Sequence, residues 1–156
     1  MEIQEAVGMV KGQVKFLNTI VGQFESGQSQ YKPEQNMLTV AQQVNHTAMT
    51  MDWFTEGAFG AGFDMNFEKI ELQNRADVTL DEAKVRLEEA TARAIAAIEK
   101  SGEEGLNALM PDNPIFGAIP RWHALIAMGD HTAHHRGALT VYLRMLGITP
   151  NMVYAD

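Results

Sequence analysis

From Val7 to Phe24 the apolar side chains Val7, Val10, Val14, Leu17, Ile20, Val21 and Phe24 recur every three or four residues, and similar stretches follow along the chain. A period near 3.6 puts such residues on one stripe of a helix, and a helix with one apolar stripe must bury it against other helices. This spacing predicts a first helix over residues 3–25. Residues 26–33, "SGQSQYKP", break it. A second helix is expected from Pro33, a residue favoured in a first helical turn, to about Glu56, where "GAFGAG" stops it. Phe59 to Val78 reads as irregular or only partly helical. Thr79 and Glu82 have the spacing of a capping box, opening a third helix through Val85, Leu87, Ala90, Ala94, Ile95 and Ile98 to Gly102. A Pro- and Gly-rich stretch separates it from a last helix, which runs from near Pro120 to a C-terminal cap at Gly147.

Strand signals are nearly absent. Four long helices in 156 residues predict an all-α, four-helix bundle, with residues 1–156 as one domain. The 46% hydrophobic content is enough for a core without covalent staples. The absence of cysteine excludes disulfides, thiolate nucleophiles and sulfur-ligated metals, so a transition metal would need histidine or carboxylate. A net charge of −8 repels phosphate backbones, so nucleic acid is not expected as a partner. The acidic start "MEIQEAVG" is unlike a signal peptide, and no apolar run approaches the roughly 20 residues that span a bilayer. A cytoplasmic protein with no membrane partner is expected.

Three of the five histidines fall within "HTAHH", residues 131–135. On the last helix Leu125, Met128, His131, His135, Leu139, Tyr142 and Leu146 share one stripe, so His131 and His135 stand one turn apart among apolar neighbours. His134 is rotated about 100° away, toward the outer face that also carries His123. A catalytic zinc takes three protein ligands and one open position. The one histidine outside the last helix is His46, whose neighbours on its helix face are Gln42, Met49, Thr50 and Trp53, a semi-polar lining. A His46, His131 and His135 triad is therefore the candidate metal site. H-x-x-x-H spacing alone arises often by chance, and a buried histidine is more often bonded to a backbone carbonyl than to a metal. Thr132 stands where a zincin helix carries its Glu, and there is no Glu-x-x-His pair, which removes the metalloprotease and di-iron classes.

The run "DHTAHHRGAL" followed by "YLRMLGITP", with "NH" in a preceding long helix, resembles the DinB-like family, named for DNA-damage-inducible proteins of bacteria. The likeness spans nearly the whole chain. It implies a four-helix bundle, commonly a homodimer, in which a histidine of the second helix and an H-x-x-x-H pair of the last bind a divalent metal, zinc or nickel. His46 matches the first position, and His131 and His135 match the pair. Many members have Gln after the Arg and Gly that follow the pair, where this chain has Ala138.

The resemblance extends to thiol-dependent transferases and isomerases. It implies a small-molecule substrate and a low-molecular-weight thiol, whose pKa the metal would lower. Three neutral histidines suit that role, since they leave the ion its full charge. A metal-dependent hydrolase is the neighbouring reading, with Glu56 or Asp52 as a general base. A non-catalytic, metal-binding stress-response protein is the contrasting one. Coordination discriminates: an open position beside the histidines favours catalysis, and a fourth protein ligand favours a structural role. Binding is expected to weaken as pH falls through roughly 6.5, the ordinary histidine value.

Overall fold

The computed structural model describes residues 1–154. Its helices are α1 (Ile3–Val21), α2 (Val40–Phe59), α3 (Phe67–Asn74), α4 (Leu80–Asn107) and α5 (Trp122–Met145), with a short 3-10 turn at Ser26–Gln28. No strand forms among the described residues beyond one isolated bridge between Leu109 and Pro120. The four long helices make the bundle. Each packs chiefly on two neighbours, α1 and α2 both lying between α4 and α5, so that α1 faces α2 across a diagonal. The long connections 22–39 and 108–121 carry the chain across those diagonals. This arrangement sets α2 directly against α5, and hence His46 against the histidine pair. No helix is long and apolar enough to cross a membrane among the described residues.

The core is continuous. Leu17 and Ile20 of α1, Val44 and Met51 of α2, Leu87 and Ile98 of α4, and Leu139 and Leu143 of α5 are all buried within it. On α4 the buried stripe is Ala83, Leu87, Ala90, Ala94 and Ile98, while Val85 lies off it and is exposed.

Local chemistry sets the helix ends. The second helix begins at Val40, seven residues later than Pro33 would have it. Thr39 is its N-cap and accepts from the Gln42 backbone N–H, while the Gln42 side chain returns to the Thr39 N–H. This is the same capping box that Thr79 and Glu82 make for α4, written with Gln in place of Glu. The first helix ends at Val21, short of residue 25. Gly102 does interrupt α4, at φ 62°, ψ 174°, but helical turns resume beyond it to Asn107. At the end of α5, Gly147 adopts φ 77°, and the N–H groups of Gly147 and Ile148 bond back to Arg144 and Leu143, closing a Schellman motif. The 59–78 segment contains α3, capped by Asn66, whose side chain accepts from the Lys69 N–H.

Candidate metal centre

His46 on α2 and His131 and His135 on α5 come together where the two helices pack, with one ligand atom of each inside a 4.8 Å cluster. The Nε2 atoms of His131 and His46 are 3.2 Å apart, and those of His135 and His131 are 3.1 Å apart. His134 is exposed and meets His135 only ring edge to ring face, and His123 stacks on Trp122 away from the cluster.

Hydrogen bonds behind the rings fix which nitrogens carry protons. Tyr142 Oη donates to the Leu38 carbonyl at 2.9 Å and so must accept from Gln43 Nε2 at 3.1 Å. That leaves Gln43 Oε1 as the acceptor for His135 Nδ1–H. On the opposite side His46 Nδ1 lies 2.7 Å from Asn74 Oδ1 and donates to it. A neutral imidazole has one N–H, so both rings point an Nε2 lone pair inward. His131 can offer a proton to only one of these neighbours. At least one of the two close N···N contacts therefore lacks a hydrogen bond, an arrangement that a cation between the nitrogens would relieve.

The donor set fits a divalent metal. Three nitrogens at zinc distance and tetrahedral angles stand about 3.3 Å apart, close to the spacings seen. Outward hydrogen bonds from metal-ligating imidazoles to side-chain oxygens are the usual way their orientation is held. Burial, aided by the neighbouring imidazoles, pushes His131 down to about 4 and His135 down to about 3. His46 is also lowered by burial, opposed by its bond to Asn74 and by the charge of Glu71. All three are thus neutral near pH 7, the form that ligates.

A cleft of about 640 Å³ opens above His46 and His131. His135 is buried beneath them. Met49 and Trp53 of α2 form one wall, and Phe67 and Ile70 of α3 form another. Trp53 is held by its indole N–H to the Asp64 carbonyl at 2.8 Å and by the Phe63 ring, 4.7 Å away. Among the described residues no fourth histidine or carboxylate joins the three, so the side facing the cleft stays open. Of the two carboxylates named as general bases, Asp52 is clasped by Arg93 through two 2.8 Å bonds. Glu56 accepts from the Ala61 N–H and caps the end of its own helix. Neither is poised over the histidines.

Sequence reasoning named the three histidines and missed Asn74, Gln43 and the α3 wall. Gln43 carried only a faint signal, one of three polar residues, with Gln42 and Asn45, just before His46. Asn74 carried none, because its role depends on where α3 folds.

A family model described as the DinB family matches residues 5–156. The uncharacterized protein YjoA of Bacillus subtilis (strain 168) is 26% identical over 120 residues, which cover 76% of this chain and 74% of YjoA. The crystal structure of YjoA, described as DinB-like, aligns with a TM-score of 0.71 at 18% identity over 97% of this chain and 98% of that one. TT2238, described as a four-helix bundle protein, aligns with a TM-score of 0.62 at 19% identity, covering 89% and 98%. At these identities the structural matches establish the shared fold.

Proposed function

The chain belongs to the DinB family, and from that membership we propose that it is a metal-dependent enzyme whose His46, His131 and His135 hold a zinc or nickel ion at the floor of the α2–α3–α5 cleft. The observation that carries the reading is the inward convergence of imidazole Nε2 atoms 3.1–3.2 Å apart, open to the cleft on one side. A divalent ion bound there supplies Lewis acidity, lowering the pKa of a small thiol or of water so that its anion is available near pH 7. The protein's part is to keep the imidazoles neutral, to aim them through Gln43 and Asn74, and to hold an electrophile against Met49, Trp53, Phe67 and Ile70. We favour thiol transfer over hydrolysis because no unengaged carboxylate stands over the histidines to act as a base. The open fourth side favours catalysis over a purely structural ion. A homodimer is part of the proposal.

The test is elemental analysis of tag-free protein, then a screen of several low-molecular-weight thiols with electrophilic small molecules. One ion per chain is expected, with thiol-dependent turnover that is lost on metal removal. His131→Ala and His135→Ala should abolish stoichiometric binding, whereas His134→Ala should retain it. Equal loss in all three variants overturns the site. Metal-dependent ester or amide cleavage without a thiol moves the reading to hydrolysis.

A further inference from the structure

The walls of the cleft restrict what can lie beside the histidines. Among the described residues four carboxylates line it, Asp52, Glu56, Asp64 and Glu71, and no lysine or arginine does. Three of the four are paired with cations outside the lining: Asp52 with Arg93, Asp64 with Lys69 and Glu71 with Arg75. Among the described residues Glu56 accepts only from the Ala61 N–H and is paired with no cation. A divalent ion on three neutral histidines would accommodate one anionic group at the floor, and a second anion would find carboxylates and no cation among the described lining residues.

Position along α2 gives the cleft a polarity. Trp53 lies seven residues beyond His46, about 10 Å along the helix, and Glu56 lies about 15 Å along. Between them run Met49 and Trp53, faced by Phe67 and Ile70. A ligand seated at the histidines therefore passes an apolar, aromatic section before it reaches the acidic end.

Resting on the metal reading above, we infer that the substrate is a molecule with an apolar, preferably aromatic, body and a positively charged outer end, and that carboxylate or phosphate groups are rejected there. The apolar section supplies most of the affinity through burial, and Glu56 supplies the charge preference.

The experiment uses three biphenyl-4-hydroxamic acids carrying aminomethyl, hydroxymethyl or carboxyl groups at the 4′ position. The hydroxamate seats on the zinc of the loaded protein, and the biphenyl reaches toward Glu56. The aminomethyl compound should bind tightest and the carboxyl compound weakest, with a gap of about tenfold, since two opposite charges a few ångströms from an exposed carboxylate differ by roughly 1–2 kcal/mol. Salt should narrow the gap. Glu56→Gln should narrow it too, since the amide carbonyl can still accept the Ala61 N–H. Equal affinities, a carboxyl preference, or no binding by any of the three overturns the inference. Zinc content of the same samples reports separately on the metal reading. The same biphenyls without the hydroxamate, titrated into metal-free protein and followed through the Trp53 indole N–H resonance, give the charge ranking independently of any ion.

Discussion

At the residue scale, the His135 ring is aimed by a relay that ends at a backbone carbonyl: Leu38 accepts from Tyr142, Tyr142 from Gln43, and Gln43 from His135. Removing the tyrosine hydroxyl leaves the buried Gln43 amide N–H without an acceptor and free to turn over, which would present a donor to His135 Nδ1. Tyr142→Phe is expected to weaken metal binding about 10–100-fold, the usual effect of losing such a support, and to lower stability by about 1–3 kcal/mol. The His135 ring ¹⁵N shifts of the metal-free protein should change from a pure Nδ1–H tautomer to a mixture. Unchanged shifts and affinity would reduce Tyr142 to core packing. A second expectation concerns acid. The unfolded chain takes up histidine protons near pH 6.5, while burial holds His131 at about 4 and His135 at about 3 in the fold. Between those values the unfolded state binds more protons, so metal-free stability is full above about pH 6.5 and falls as pH drops toward 4. Proton competition for the metal likewise begins lower than the ordinary histidine value that sequence alone suggested. Zinc titrations should show little loss of affinity from about pH 7.5 to 6 and a steep, multi-proton loss below. Release centred at pH 6.5 would mean that the imidazoles are not desolvated.

At the element scale, the long helices were legible because their signals are local, whereas the parts that shape the cleft depend on tertiary placement. The Thr79 capping box and the Gly147 stop act within a few residues of chain. Pro33 misled because it is compatible with a first helical turn without requiring one, while Thr39 and Gln42 satisfy orphan N–H groups outright. Helix α3 is eight residues long, with exposed Phe67 and Leu72 at 55% and 72%. It has too little amphipathic pattern to be read from spacing. The turn after α2 has a similar origin, since Phe63 folds back over Gly57 and braces Trp53 at 4.7 Å and Phe116 at 5.7 Å. A Cβ on Gly57 would overlap the Phe63 ring. Gly57→Ala should therefore displace Phe63, cost about 1–3 kcal/mol as overpacking does, and alter Trp53 fluorescence. Metal stoichiometry should be kept, because His46 lies three turns earlier on α2. Urea unfolding and emission spectra check this, and unchanged stability would show that the ring moves aside without penalty.

At the scale of the whole molecule, the homodimer that the family resemblance implies needs an uncovered apolar face, and the second helix turns its apolar side chains to the core and the cleft instead. Val40, Val44 and Met51 are buried in the core, and Met49 and Trp53 line the cleft. One exposed apolar stripe lies on α5, where Ile126, Ala133, Gly137 and Val141 follow one another at spacings of seven, four and four. Ile126 and Val141 are 47% and 52% exposed, and Met145 nearby is 58% exposed. A second copy packed along α1 and α5 would cover the apolar stripe. The α1–α5 face is also clear of the cleft, so pairing through it would leave both sites open to substrate. Sedimentation at micromolar concentration should give a dimer of the 17.3 kDa chain. Val141→Glu should shift it to monomer, since a charge buried at such a centre is costly, with helical content and zinc stoichiometry retained because Val141 stands about 80–120° around α5 from His131 and His135. A wild-type monomer would refute the pairing, and a Val141→Glu dimer would move the interface elsewhere.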